Sequence, residues 1–274
     1  MDNEAQLATL LAHEMTHATH RHSLREMHGA FNKSLLLVST SSLIGNVPLL
    51  GQLSSALGRL SMAASINGHS RELETEADMV GIGLVVKAGY DPREALKFFQ
   101  HLKSAIEEEG EKEPFFFGTH PRLKERIANY NGFLAGINKG KADGITNAEI
   151  FRNKTAGVLI DNAFMELRAG RFMQARRNAE KYVTIRPKDG RGYYLLGEIA
   201  RQSGEDKNLA EGKKELQKGI AADPAYADLY KGLGLIYFNE GNKSEAARAF
   251  REYLAKVPSV QDSTYIEEYL LQCK

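Results

Sequence analysis

Apolar residues recur at helical spacing from the first positions of the chain. Leu7, Leu11, Met15 and Ala18 fall on one face of a helix predicted from Glu4 to about His20, with histidines on the other side. Asn3 is a good N-cap for it, and Gln6 three residues later completes a capping-box pattern. A second helix is predicted over "RELETEADMVGIGLVVKAG", stopped by Gly89. A third follows over "DPREALKFFQHLKSAIEEE", with Asp91 as N-cap and Pro92 at the first helical position. "EEEGEKEP" reads as an exposed charged loop and "HPRLKERIANY" as a short helix opened by its proline. Between the first two helices, Ser34 to Gly58 carries no charge. Gly45, Asn46, Pro48 and Gly51 break that stretch into pieces shorter than the ~20 residues a membrane span needs. It reads as two short buried helices or a helical hairpin, and an apolar surface for a membrane or an unfolded substrate is the sharper alternative.

Residues 131–153 are rich in Gly and Asn and weak in periodicity, so the domain boundary is placed there. The expected division is a first domain over 1–135, a linker over 136–155 and a second domain over 156–274. The second domain repeats itself. Tyr230, Leu233, Gly234, Tyr237, Ala246, Phe250 and Pro258 fall at tetratricopeptide (TPR) offsets, and Tyr193, Leu196, Gly197 and Pro224 repeat them. A weaker copy holds Gly170, Ala175 and Pro187. Small residues let the two helices of a repeat approach closely, and aromatics fill the space between repeats. Three repeats are about the minimum for a stable stack, and "DSTYIEEYLLQ" suits a capping helix.

Composition narrows the classes. A chain of 274 residues, 42% hydrophobic and 26% charged, suits two globular domains with real cores. A formal net charge of +1 gives no electrostatic footprint for nucleic acid. Cys273 is the one cysteine, which excludes a disulfide within the chain and a cysteine-based zinc site. The opening "MDNEAQLATLLAHE" lacks the basic segment that begins a signal peptide.

Candidate chemistry lies in His13-Glu14-Met15-Thr16-His17. Histidines four apart stand one above the other on a helix and can bind one metal ion. Glu14 lies about 100° round the helix from His13, placed to take a proton from a metal-activated water. A catalytic zinc needs three protein ligands and an open position. The metzincin arrangement would need Gly at 20 and His at 23, where this chain has His20 and Ser23, so the third ligand must come from elsewhere. On the second helix, Glu74 and Asp78 share a stripe with Ala77, Gly81, Leu84, Val85 and Ala88, taken as the core-facing side, while Glu72 and Glu76 point away. Two carboxylates on an apolar stripe are costly unless paired or metal-bound. Glu74 is therefore the expected third ligand, and Asp78, one turn on, can hold a ligating histidine by its free ring N–H. A buried salt bridge to Arg71 or Lys87 is the alternative. His20, His22 and His28 read as surface histidines, and His120 by spacing alone as a helix-start histidine, structural or exposed.

Together, "LLAHEMTH", "SRELETEADMVGI", "KAGYDPREALKFF" and "THPRLKERI" followed by the repeats resemble the HtpX/BepA-type zinc metallopeptidases, gluzincins whose soluble BepA-like members carry TPR repeats. The resemblance implies a mainly α fold, a helical gluzincin metallopeptidase domain followed by an α-solenoid of TPR repeats. It implies one zinc ion per chain held by His13, His17 and Glu74, with Glu14 as general base and Asp78 behind the ligands. His120 would stand near the metal as an oxyanion donor or a fourth ligand, and Arg126 would also lie close to the site. The implied protein is periplasmic, degrades or assists misfolded envelope polypeptides, and docks a protein partner through its TPR domain; the charge balance argues against a nucleic-acid partner, and the broken uncharged stretch leaves room for membrane association without a span. Members of the family carry, before the His-Glu helix, a stretch with an edge strand that pairs with substrate. This chain starts three residues before that helix, so the N-terminal part of the domain is expected to be missing. A TPR adaptor or chaperone with a latched or inactive protease domain is the rival reading, and a zinc hydrolase of small molecules a weaker third.

Overall fold

The structure, a computed structural model, describes residues 1–42, 69–109, 123–137, 144–204, 206–257 and 263–274. Regular structure among them is helical, apart from an isolated bridge between Tyr90 and Ile145. The chain divides into two compact units, Met1–Phe151 and Arg152–Lys274.

The first unit holds α1 (Glu4–Thr19), α2 (His22–Ser42), α3 (Arg71–Lys87), α4 (Glu94–Glu109) and α5 (Leu123–Ile137). Asn3 caps α1, its Oδ1 accepting from Gln6 N at 2.9 Å. The return half of the capping box is redirected: Gln6 Oε1 accepts from Asp2 N, and Gln6 Nε2 and Asn3 Nδ2 both donate to Glu94 Oε2, fastening α1 to α4. Asp91 and Pro92 form a turn before α4 rather than its first residues, with Asp91 accepting from Arg93 N. A core of Ile82, Phe98, Phe99, Tyr130 and Leu134 joins α3, α4 and α5.

The buried face of α1 is the reverse of the expected one. Leu11 and Met15 are exposed (51% and 57%) and Ala18 is exposed, whereas Ala5, Gln6, Thr9, Ala12, His13, Thr16 and His17 are buried. Close helix packing is the reason. Gly81 lets α3 pass beside α1: a Cβ there would meet His13 N at 3.2 Å and the Ala12 carbonyl carbon at 3.3 Å. Thr9 and Thr16 satisfy their own hydroxyls on the carbonyls four residues back, so they are buried without an orphaned donor. The same crossing turns α3, which buries Leu73, Glu74, Ala77, Asp78, Gly81, Ile82 and Val85 and leaves Leu84 and Ala88 exposed, against expectation.

The Gly- and Asn-rich stretch is helical through Ile137 and again from Ala148; residues 138–143 lie outside the described residues, and the residues just before Ala148 make backbone bonds. Ile145 N donates to Gly89 O, Ile145 O accepts from Asp91 N, and Thr146 O accepts from Glu4 N. Gly144 passes so close to Asp91 that a Cβ would stand 2.4 Å from its amide nitrogen. Of the uncharged stretch, residues up to Ser42 continue α2, and Leu43 onward lies outside the described residues. No helix among the described residues is long and apolar enough to cross a membrane.

The second unit pairs α6 (Ala148–Arg168) with α7 (Phe172–Ile185), α8 (Gly190–Gln202) with α9 (Asp206–Ala222) and α10 (Asp228–Asn239) with α11 (Lys243–Lys256), and ends in α12 (Ser263–Gln272). The first residues of α6 belong to the first unit. Gly170 and Gly241 turn two of the pairs at φ of +72° and +75°. Gly234 faces the ring of Phe250, where a Cβ would meet it at 2.6 Å. One contact recurs along the chain: Tyr193 Oη donates to Pro187 O, and Tyr230 Oη donates to Pro224 O. Pro258, the third proline of that register, lies outside the described residues. Three helix pairs and a terminal helix make a mainly α, TPR-type solenoid.

Candidate metal centre

α1 and α3 cross at Gly81, and this crossing gathers the polar residues of both helices. His13 and His17, one turn apart, bring their Nε2 atoms to 3.0 Å from each other. Glu74 completes the group, with Oε2 3.6 Å from His13 Nε2 and Oε1 3.3 Å from His17 Nε2. One ligand atom from each of the three lies within 4.8 Å of the others, all buried. Among the described residues it is the one such cluster of potential metal ligands.

Behind the three stands a charged layer. Asp78 is fully buried and places Oδ1 3.0 Å from His13 Nδ1. Arg126 of α5 forks onto the same carboxylate, Nη2 to Oδ1 at 2.7 Å and Nε to Oδ2 at 3.0 Å, and its Nη1 lies 3.7 Å from Glu74 Oε2. Its guanidinium sits 4.6 Å over the ring of Phe99. Burial works against the charge on Arg126, but Asp78 beside it holds the pKa above its ordinary value. Burial pushes the phenol of Tyr130 well up, and Asp78 adds to the shift. Burial also lowers the pKa of His13, against the partial opposition of Asp78, so the ring is neutral at pH 7 and its lone pair is available.

Two imidazoles and a carboxylate fit a zinc-type ion by donor chemistry. Charge agrees, since Glu74 and Asp78 outweigh Arg126 by one negative charge. Glu14 is half-buried, the residue after His13 on the same helix. His120 lies outside the described residues. The alternative reading of the two carboxylates is a buried salt bridge to Arg71 or Lys87; the buried cation beside both is Arg126, and Arg71 makes an exposed pair with Glu125.

Sequence profiles of known families match twice, "Peptidase family M48" over residues 1–133 and "Tetratricopeptide repeat" over 206–260. The chain carries a peptidase M48 domain. It is similar to the beta-barrel assembly-enhancing protease of Escherichia coli strain K12, 25% identical over 92% of this chain and 57% of that protein. The putative beta-barrel assembly-enhancing protease of Vibrio cholerae is 32% identical over 46% of this chain and 27% of its own length. The mitochondrial metalloendopeptidase OMA1 of Schizosaccharomyces pombe is 34% identical over 48% of this chain and 37% of its own. The chain thus spans just over half the length of the first of these relatives. The peptidase M48 match lies within the first unit and the tetratricopeptide-repeat match within the second.

The M48 domain also contains a group that spacing did not reveal. His22, expected at the surface, is fully buried, with Nδ1 2.9 Å from His17 Nδ1. Positions five apart do not meet on a continuous helix. The chain breaks at Arg21, whose φ of +53° is left-handed, and restarts as α2 with His22 beneath His17. His69 stacks on His17 at 4.2 Å between ring centroids. Its only signal was proximity to the predicted start of α3. His20 and His28 are exposed.

Proposed function

We propose that the chain is a zinc-dependent endopeptidase that cleaves unfolded or misfolded polypeptides, with its TPR repeats docking a protein partner or the substrate. The observation that carries the reading is the convergence of His13, His17 and Glu74, with ligand atoms within 4.8 Å of one another, in front of the Asp78–Arg126 pair. His13, His17 and Glu74 would hold one zinc ion. Bound there, zinc supplies a Lewis acid that lowers the pKa of water and polarises a carbonyl. Glu14 accepts the proton of the attacking water on its carboxylate and returns it to the leaving amine nitrogen. Asp78 accepts the Nδ1 proton of His13, fixing the tautomer that presents Nε2. His120 is proposed as an oxyanion donor or fourth ligand, on the family resemblance alone.

Polypeptide rather than a small molecule as substrate is supported by the repeats and by exposed apolar side chains on the two helices that carry the site, Leu11 and Met15 on α1 and Met79 on α3. Work in envelope protein quality control, in the periplasm, is proposed from the resemblance and from the relatives named for β-barrel assembly.

The test is cleavage of an unfolded protein such as casein by zinc-loaded protein beside Glu14→Gln. Cleavage by the wild type alone supports the reading. Equal cleavage by both removes Glu14 from it. Cleavage by neither, with casein kept from aggregating, favours the adaptor reading instead.

A further inference from the structure

We propose that His22 is a positioning residue for His17: by accepting the Nδ1 proton of His17 it fixes the tautomer and ring orientation that turn His17 Nε2 toward the metal. The inference rests on the reading of His17 as a ligand. His22 is 0% exposed, and the two Nδ1 atoms are 2.9 Å apart, so one must donate and the other accept. His17 Nε2 lies 3.0 Å from His13 Nε2 and 3.3 Å from Glu74 Oε1, where a ligand lone pair is required. A neutral imidazole that offers Nε2 carries its proton on Nδ1. His17 Nδ1 therefore donates, His22 Nδ1 accepts, and the proton of His22 sits on its Nε2.

That nitrogen faces the Oε1 of Glu76 at 3.8 Å, and the other oxygen of Glu76 accepts from Arg25 Nη1 at 2.8 Å. Glu76, held by Arg25, therefore acts on His22 by its charge alone, at a distance too long for a hydrogen bond, whereas Asp78, held by Arg126, lies within hydrogen-bond distance of His13. The two ligands are held differently: a carboxylate behind His13 raises its basicity, while a neutral imidazole behind His17 sets direction with little charge. His69, stacked 18° from parallel on His17, holds the ring plane. Partners of this kind typically account for about 10- to 100-fold in metal affinity.

The experiment uses the full chain in three forms: wild type, His22→Leu, which fills similar volume without an acceptor, and His22→Asn, whose Oδ1 takes the place of Nδ1. Zinc affinity is read by competition with a chromogenic chelator, folding by melting of the metal-free proteins, and tautomers by long-range proton–nitrogen NMR of zinc-loaded, histidine-labelled protein. Expected are a zinc affinity about 10- to 100-fold weaker in His22→Leu, a return to near the wild-type value in His22→Asn, and an Nε2–H tautomer for His22 in the wild type. If His22→Leu does not fold, the Asn variant and the tautomer decide. Wild-type affinity in folded His22→Leu, or an Nδ1–H tautomer at His22, overturns the inference and leaves the metal reading standing. A wild type that binds no zinc overturns both.

Discussion

His13 presents Nδ1 to Asp78 at 3.0 Å, and the same carboxylate oxygen receives Nη2 of Arg126 at 2.7 Å. Three chain segments, from α1, α3 and α5, therefore meet on one buried carboxylate. Removing its charge leaves Arg126 buried and poorly paired, which costs about 3–5 kcal/mol when one partner of such a pair is lost. Asp78→Asn is expected to lower the urea midpoint of the metal-free protein and to weaken zinc binding by about 10-fold or more. Equilibrium unfolding and chelator competition measure the two effects, and a variant unchanged in both contradicts the role given to Asp78.

Gly81 sets the approach of α1 and α3. The nearest atoms to an added Cβ are backbone atoms of Ala12 and His13, at 3.2–3.4 Å, which cannot rotate away. Gly81→Ala is expected to destabilise the first unit by about 1–3 kcal/mol despite its better helix propensity, and Gly81→Val by more. Gly83, where a Cβ meets nothing within 4 Å, is the control: Gly83→Ala should stabilise slightly. Thermal melts of the variants decide, and an equal response at the two positions would contradict the crossing geometry.

Acidity should loosen the site. Burial holds the pKa values of His13 and His22 below the ordinary 6.5 in the folded chain. Between 6.5 and those lower values the unfolded chain binds protons that the folded chain refuses, so stability falls as pH drops through that window and levels off above it. Urea midpoints of the metal-free protein between pH 8 and pH 5 are expected to fall on acidification, with a smaller slope in His22→Asn. A midpoint that rises toward pH 5 contradicts the burial of these rings.

Helix phase read from the sequence separates Glu74 and Asp78 from Glu72 and Glu76, and the structure buries the first two and leaves the others exposed or half-exposed. The three repeats were likewise legible, because their glycines and prolines recur at spacings of 34 to 37 residues. Three features were not. The buried side of α1 was inverted, since Ala5, Ala12 and Gly81 permit a backbone approach that bulkier Leu11 and Met15 would block. His22 was hidden by a left-handed residue at Arg21 that no periodicity announces. The backbone bonds of Ile145 and Thr146 to Gly89, Asp91 and Glu4 leave no mark on side-chain pattern.

Metal content tests the central claim most directly. Wild type, His17→Ala and Glu14→Gln are loaded with zinc, freed of excess by gel filtration and assayed by atomic emission. About one zinc per chain is expected in the wild type and in Glu14→Gln, and far less in a folded His17→Ala, since His17 provides a lone pair and Glu14 handles only a proton. Wild-type protein that retains no zinc, or His17→Ala that retains as much as the wild type, would contradict a centre built on His13, His17 and Glu74.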